Sequence, residues 1–520
     1  MSERPVVIVG SGFAGTILAR LLVARGLEVT LVERGTHPRF ALGESSTPLA
    51  AICLERLARE YRLPDLAALA AHGRWQRELP GIGCGLKRGF TFYGHEAHEP
   101  FSNDDENNRR LLVTASPSDE IADVHWLRSD VDAFLVERAV AEGVAYVDRC
   151  ELEAVDGRPG AWRLTGVRAG EAVSLDASFI VDGSGAGGFL AGQPAFEAGA
   201  AAPPGPRTGL VFSHFSGVAP FAEAAGRARF PAGPYPDERA AVHHLIEEGW
   251  VYSLRFDDGR VSAGVVLDHS HPGTLGLMAL GPVDAWRTVL GRYPTLEDQF
   301  ADAESLEPVR LHAVLQRMGK SAAGPGWALL PHTHCFVSPM FSTGIAWSLT
   351  AVERLAGLLV RGPTRTNDGI AIYGALLTTE AAWIAALVEP AYRLRRDFAA
   401  FAAWTQFYFA AASFWEATQR LCEPPSPGGW SDVGFLGATD PGLRGAVGIG
   451  ARELVDRTTT ADGANRLVAR LIARRNIAGL ADSARRNAYP IDLDVLVGNA
   501  GLLGLDRREV ARALPRLRGL

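Results

Sequence analysis

Lysine is almost missing from this chain. Of 52 basic side chains only Lys87 and Lys320 are lysines, and the other fifty are arginines. A sequence that uses arginine wherever a positive charge suffices keeps Lys87 within GCGLKRGFTF, directly beside Arg88. A lysine can shift its pKa and offer a nucleophilic amine, whereas a guanidinium stays protonated. Lys87 is therefore either a chemical choice or a chance survivor. Paired cysteines are missing too: Cys53, Cys84, Cys150, Cys335 and Cys422 are scattered with no CxxC. An odd, dispersed set reads as reduced thiols rather than a disulfide framework. There is no basic excess, since the formal net charge is -7, which argues against a nucleic-acid partner.

Other signals are absent as well. MSERPVVIVG is charged and enters a strand at once, so no signal peptide is expected and a cytoplasmic protein is. No repeat of fixed period, no GxSxG element and no paired-carboxylate arrangement for a hydrolase stands out. Adjacent His243 and His244 point apart on a helix or a strand. His332 and His334, next to Cys335, could share one strand face, but no further ligand follows, and no metal is expected. The run DFAAFAAWTQFYFAAASFWEATQR (Asp397 to Arg420) is apolar almost all round a helix, interrupted by Thr405, Gln406 and Ser413. Such a helix either spans a membrane or is deeply buried. With no second span beside it, a buried helix that walls an apolar substrate cavity is expected, and no membrane association.

What is present describes a globular protein of 520 residues, 47% hydrophobic and 21% charged, long enough for two or three packed units. VVIVG, SGFAG, TILARLLVARG and LEVTLVERG read as strand, glycine turn, helix and strand, a right-handed βαβ unit. Short helices fill Pro48 to Gly73. From Gly83 to Trp126 strand-like pieces alternate with the polar loop SNDDENNRR. SDVDAFLVERAVAEG (Ser129 to Gly143) reads as a helix with an N-cap serine, and ASFIVDGSG as a buried strand with a glycine turn. AFEAGAAAPPGP is the linker candidate before strand-rich material that runs to about Asp268. From Tyr373 onward the chain reads as mostly helical.

Gly10, Gly12 and Gly15 give GxGxxG between a strand and a helix, with the acidic Glu33 at the end of the second strand, about twenty residues on. The glycines allow a tight turn and close approach to a pyrophosphate, the helix N-terminus adds its amides, and Glu33 suits ribose hydroxyls. Gly183, Gly185 and Gly188 repeat the spacing, but no second βα unit ending in an acid follows. Asp182 and Gly183 are thus a loop of the same cofactor site or a structural turn. One dinucleotide is expected, with no second site for a nicotinamide.

RGTHPRFALGESSTP (Arg34 to Pro48) resembles the corresponding segment of flavin-dependent halogenases, particularly the pyrrole- and phenol-acting branch. Four further segments agree in order. GLKRGFTF resembles the family's lysine segment, LRSDVDAFLVERA its Arg-x-x-Val-Asp helix and FIVDGSG its Asp-x-Ser-Gly turn. CFVSPMFSTG matches its Phe-x-x-Pro-x-x-Ser-x-Gly signature through Phe336, Pro339, Ser342 and Gly344. The likeness covers roughly Pro5 to Thr350 and fades in the C-terminal part.

The resemblance implies an α/β fold: a Rossmann-like FAD-binding domain of the class A flavin monooxygenase/halogenase type with an inserted β-rich substrate domain and a mostly helical C-terminal region. Residues 1–365 would form the FAD-binding and halogenase core, with substrate-covering segments at about 75–127 and 205–305, and 366–520 the helical part. It implies FAD, supplied as FADH2 by a separate flavin reductase, and chloride or bromide. Reduced flavin and dioxygen together oxidise the halide to hypohalous acid in a closed pocket. The oxidant travels to a lysine, here Lys87, which hydrogen-bonds it or carries it as a haloamine, and an electron-rich aromatic is halogenated in natural-product biosynthesis.

The implied flavin contacts are Gly10, Gly12, Phe13, Ala14 and Gly15 in the turn, then Glu33 and Arg34. Gly43, Glu44 and Ser45 would form a strap between flavin and lysine pocket, or an ordinary loop capping a helix. Arg128 would reach the flavin or pair with Asp132; Asp182, Gly183 and Ile345 complete the set. The halide would sit on amides near Ser342, Thr343 and Gly344.

Two departures qualify the likeness. The family's Trp-x-Trp-x-Ile-Pro is here GWVYSLRF, with Trp250 kept, Tyr252 replacing the second Trp, Leu254 the Ile and Arg255 the Pro, so direct oxygen transfer is the alternative chemistry. Phe341 stands where tryptophan-acting relatives place a glutamate. The flavin and substrate wall is thus Trp250, Tyr252 and Phe341, and a phenol or pyrrole is expected rather than free tryptophan. RLVARLIARRNIAGLADSARRN (Arg466 to Asn487) reads as a basic amphipathic helix or pair, either a docking face for an acidic acyl or peptidyl carrier protein bearing the substrate, or a solvated surface. An idle flavoprotein serving as a partner in a biosynthetic complex is the third reading.

Overall fold

The computed structural model describes residues 5–194, 196, 198–226, 230–361, 366–425, 429–456 and 460–518. The first four residues of the N-terminal reading, and Ala195 and Glu197 of the linker, lie outside them. Val6–Val9, Val29–Val32 and Phe179–Asp182 pair in parallel, extended by Ala145–Val147 on one side and Trp327–Leu329 on the other. Counted over the described residues the sheet has six strands, the sixth being the antiparallel edge Ala323–Gly324. Val6–Val9 and Phe179–Asp182 are buried throughout and carry almost only branched apolar side chains, as a parallel sheet covered on both faces requires. The helix Phe13–Val23 follows the first strand, as the glycine turn predicts. Its Arg20 is fully buried and pairs with Asp65 at 2.8 Å and Glu142 at 2.6 Å.

A second, larger sheet carries Gly89–Gly94, Arg110–Thr114 and Ala241–Ile246 beside Gly249–Arg255, Val261–Asp268 and Thr208–Ser216. Ala488–Tyr489, from far along the chain, joins its edge in parallel with Arg110–Thr114. Between the two sheets Cys84–Lys87 pairs antiparallel with Asp123–Trp126.

The run flagged for a membrane is the helix Phe398–Leu421, capped by Asp397 through Ala400 N at 3.1 Å and buried along Phe401, Trp404, Phe407 and Tyr408. Its polar residues turn back on the helix: Thr405 donates to the Ala402 carbonyl at 2.8 Å and Gln406 at 3.1 Å. Another helix, Thr366–Leu394, is long and apolar enough to cross a membrane by length and composition, and 56% of its most apolar 18-residue window is buried within the protein. One continuous core joins Ile17 and Leu21 of the first helix to Leu349 and Leu355 of Gly344–Val360 and to Phe401 and Trp404.

Three local expectations are corrected. The helix read from Ser129 runs Arg128–Ala141 with Leu127 at its N-cap, and Ser129 bonds Asp130 rather than the helix amides. His332 and His334 lie on a short helix, Pro331–His334, not on a strand face. The basic helix spans Ala461–Ile472, with Ala464, Val468 and Ile472 inward, and does not continue to Asn487.

Glu380 of Thr366–Leu394 ties the C-terminal helices to the core. It accepts from Trp347 Nε1 at 2.8 Å, Arg354 Nη1 at 2.9 Å and Phe435 N at 2.7 Å, fully buried. Removing one partner of a buried ion pair strands the other charge. Glu380→Ala therefore loses about 3–5 kcal/mol of stability, seen as a lower unfolding midpoint in urea. Trp404 offers a check: it bonds the Leu387 carbonyl, and Trp404→Phe should cost less.

Candidate active site

Two of the three glycines in the turn sit in contacts that admit no side chain. Gly10 has φ +98°, and a Cβ there would lie 2.6 Å from the Gly183 carbonyl oxygen. A Cβ at Gly15 would lie 2.2 Å from the Gly10 oxygen, whereas at Gly12 it would meet only Arg128 Nη2 at 3.6 Å and Asp132 at 3.9 Å. Gly12 thus leaves an open cradle at the N-terminus of Phe13–Val23, shaped for a pyrophosphate. Glu33 accepts from Ser11 N at 3.1 Å, Ser11 Oγ at 2.8 Å and Gly35 N at 3.0 Å, and pairs with Arg39 at 3.2 Å. Burial would raise this carboxyl, but Arg39 and the donors outweigh it and hold it below the usual carboxylate range. Arg34 is exposed and Ala14 half-buried.

Asp182 is consumed by its own turn, accepting from Ser184 N at 2.9 Å, Ser184 Oγ at 2.6 Å and Leu190 N at 2.8 Å. Its neighbour Gly183 donates to the Val9 carbonyl at 2.7 Å, which sets this loop against the glycine turn. Arg128 makes the ion pair with Asp132 that its spacing allows. It forms a two-pronged ion pair with Asp132 at 2.7–2.9 Å and donates to the carbonyls of Leu42 at 2.8 Å and Gly43 at 3.1 Å, over the Phe13 ring.

Those carbonyls open the GESSTP segment, which crosses between the glycine turn and the small lysine sheet. Gly43 turns with φ +91°. Glu44 meets buried His214 at 2.8 Å, and Ser45 bridges His125 across the chain. Ser46 N donates to the Val124 carbonyl and Ser46 Oγ accepts from Val124 N, both at 3.0 Å. Thr47 is the N-cap of Pro48–Tyr61 by position, with no side-chain cap bond.

One end of this strap meets the lysine. Lys87 Nζ donates to the Ser46 carbonyl at 2.5 Å and stands 4.1 Å over the Phe90 ring, with the residue 0% exposed. The amine is in the interior, not in a charged surface turn. Asp123 lies directly across the strand pair from it. Burial holds the lysine below its ordinary range, against the attraction of Asp123. Burial likewise raises the Asp123 carboxyl, against Lys87.

The strap also meets the Phe-x-x-Pro-x-x-Ser-x-Gly turn, through Ser342 Oγ to Ser45 Oγ at 3.1 Å. Ser342 has φ +52° and its N–H closes the turn on the Pro339 carbonyl at 3.0 Å. Thr343 is the N-cap of Gly344–Val360, so the amides of Gly344 and Ile345 are in the first helical turn, without intrahelical partners. A Cβ at Gly344 would press on the His332 ring at 3.0 Å. His332 bonds Ser348 at 3.0 Å, and burial pushes it down to about 3, so it stays neutral beside these amides.

Trp250 Nε1 donates to Tyr392 OH at 2.7 Å, and that hydroxyl meets Ser338 Oγ at 3.0 Å. Tyr252 is buried 6.2 Å from the Trp250 ring, and Phe341 stacks on Tyr408 at 4.4 Å. His243 stacks between Phe92 and Trp250 on one face of its strand, while His244 faces Tyr93 on the other. Among the described residues one cluster has metal-like spacing, His72, Cys84 and Asp257, but Gln76 already donates to Asp257 at 2.7 Å and contacts Cys84 at 3.4 Å.

A cavity of about 190 Å³ is lined by Leu49, Phe90, Val113, Tyr408 and Phe409, with Glu55, Asp123, Glu416, Arg420 and Asp492 as its charged groups; Lys87 lies just behind this lining, over Phe90 and opposite Asp123. The helix Phe398–Leu421 supplies one wall, and residues from Ile477 to Leu496 close another. Asp123, Tyr408, Glu416 and Arg420 lie in no motif. Only the fold brings them together.

This geometry accords with what the chain resembles. A family described as "FAD dependent oxidoreductase" matches residues 5–298. Tetracycline 7-halogenase of Kitasatospora aureofaciens is 26% identical over 371 residues, 69% of this chain and 64% of that protein. Monodechloroaminopyrrolnitrin halogenase PrnC of Pseudomonas fluorescens is 24% identical over 373 residues, 68% of this chain and 61% of that one. The chain therefore spans somewhat less than two thirds of the length of these curated relatives. Halogenase PltM, solved in complex with phloroglucinol and FAD, shares the fold with a TM-score of 0.81 at 21% identity, over 93% of this chain and 99% of that one. The chain belongs to the FAD-dependent oxidoreductases, and the curated relatives it resembles are halogenases.

Proposed function

We propose that this protein is a flavin-dependent halogenase acting on a small electron-rich aromatic, phenolic or pyrrolic. The observation that carries this is a single buried amine, Lys87, packed over Phe90 and opposite Asp123, two residues that line an aromatic-walled cavity, and tied by one strap to the Ser342–Gly344 turn. Bound as FADH2, the flavin supplies with dioxygen the two-electron oxidation of chloride or bromide to hypohalous acid. The residues suit that cofactor: Gly10, Gly12, Phe13, Ala14 and Gly15 form the cradle, Glu33 and Arg34 directly follow the second strand, and Arg128 with Gly43 flanks it. The free amides after Ser342 suit a halide. Trp250, Tyr252 and Phe341 wall the aromatic from the oxidation step. Lys87 holds the oxidant by hydrogen bond or as a haloamine, and a neutral amine is the form that can do so.

A separate reductase supplies FADH2 in a cytoplasmic setting. Residues 1–365 serve as flavin and halogenation core, and 366–520 as the helical part that completes the cavity. Arg466 and Arg470 project outward from Ala461–Ile472 and suit an acidic carrier, should the substrate arrive tethered.

The test combines the protein with a flavin reductase, bromide or chloride, and a panel of phenols and pyrroles. Products in which one halogen replaces one hydrogen are expected, and none without halide. Products that gain oxygen whether or not halide is present would instead make this a monooxygenase, the chemistry left open by Tyr252 and Arg255 in GWVYSLRF. The yield per flavin should also rise with pH. Burial lowers the lysine's proton affinity, so raising the pH through that depressed value increases the neutral amine, and lowering it removes the amine.

A further inference from the structure

The buried carboxylate opposite the lysine has no assigned use. Asp123 is 2% exposed, its Oδ2 has no hydrogen-bond partner among the described residues, and it lines the cavity. A buried acceptor left unpaired is costly unless something else fills it. Its register partner is Lys87, so amine and carboxylate share one face of the two-stranded sheet. Phe341, in the Phe-x-x-Pro-x-x-Ser-x-Gly turn, supplies no acid: it is stacked on Tyr408, and its carbonyl accepts from that hydroxyl at 2.8 Å.

We infer that Asp123 is a catalytic base, which takes the proton released by the aromatic substrate as it is halogenated at Lys87. This rests on the halogenase reading and deepens it. The halogen's bond to the lysine nitrogen (or to the hypohalous oxygen) breaks with its electron pair left on that atom. The carbon–halogen bond forms, then the ring's carbon–hydrogen bond breaks and returns its pair to the ring. The proton goes to Asp123 Oδ2. The carboxyl then passes it to the nitrogen, or to the departing hydroxide, which leaves neutral amine or water and restores the carboxylate.

The groups that face Asp123 favour this. Lys87 and His125 lie on the two paired strands, and Glu416 and Arg420 face it from Phe398–Leu421, with Glu55 against Arg420 at 3.7 Å. Burial keeps His125 neutral, pushing it down to about 3. Burial also raises Asp123 above an ordinary carboxyl, with Lys87 and Arg420 opposing and Glu416 adding to the rise. A base of raised affinity is matched to proton transfer near neutrality.

The test uses full-length wild type, Asp123→Asn and Asp123→Glu with a reductase, FAD, bromide and phloroglucinol, in protiated and ring-deuterated form. Asp123→Asn should keep flavin oxidation and flavin binding and lose brominated product by about 10²–10³-fold. A primary deuterium effect absent in wild type should appear, and Asp123→Glu should recover part of the rate. A purely structural role would lower yield without an isotope effect. If the variants do not fold, wild type alone decides, since its deuterium effect should emerge as pH falls and the carboxylate is protonated. No isotope effect in wild type at any pH, or undiminished product from Asp123→Asn, overturns the assignment. Wild type that brominates neither phloroglucinol nor any other phenol or pyrrole overturns the halogenase reading itself, a different outcome.

Discussion

Lys87→Arg consumes FADH2 and dioxygen at the wild-type rate and forms halogenated product about 10³-fold more slowly or not at all. The positive charge is conserved, yet a guanidinium stays protonated and offers no neutral nitrogen. A planar fork also cannot reproduce the single contact the amine makes with the Ser46 carbonyl over the Phe90 ring. Lys87→Met separates chemistry from packing. It is unbranched and apolar, can lie along Phe90, and removes a buried charge that costs free energy wherever it is imperfectly paired. It should keep the fold and the flavin and lose the product. Product measured by mass spectrometry against dioxygen uptake decides this, and equal yields from wild type and Lys87→Met would remove the amine from the reaction.

The second large effect separates two glycines that look alike in sequence. Gly15→Ala places a methyl 2.2 Å from the Gly10 carbonyl oxygen. Backbone must then move, and both the melting temperature and flavin binding fall. Gly12→Ala meets nothing closer than 3.6 Å in the protein itself. Its melting temperature should hold while flavin affinity drops, because the methyl occupies the space into which a pyrophosphate settles. A methyl forced into a packed contact costs about 1–3 kcal/mol, or roughly ten- to a hundredfold in affinity. Flavin titration by fluorescence, beside a thermal melt, reads both. Undiminished binding by Gly12→Ala would place the dinucleotide elsewhere.

The glycine turn was legible because strand, glycines, helix and acid all lie within one local stretch, where spacing dictates geometry. The apolar run from Asp397 was legible as a buried helix for a similar reason: its few polar residues satisfy themselves on the preceding turn. The Ser129 cap misled because a serine before an apolar periodicity is a statistical signal, while the true start is drawn back to Arg128, whose side chain is held by Asp132 and the strap carbonyls. His332 and His334 misled by their alternation, since Pro331 starts a short helix there instead. Asp123 was not legible at all. Its meaning lies in the strand register that sets it opposite Lys87, 36 positions earlier, and no local pattern encodes a pairing between distant segments. Rarity singled out Lys87, but only tertiary packing shows an amine out of water.

The parallel pairing of Ala488–Tyr489 with Arg110–Thr114 bears on how a cell makes such a protein safely. Segments emerge from the ribosome in order and fold largely as they appear. A nascent chain finished only through Phe398–Leu421 already has its glycine turn and its amine, while one side of the cavity lacks its wall until Ile477 to Leu496 arrive. Truncated or nicked molecules lacking that late stretch should therefore leak oxidant into their surroundings, and damage themselves first.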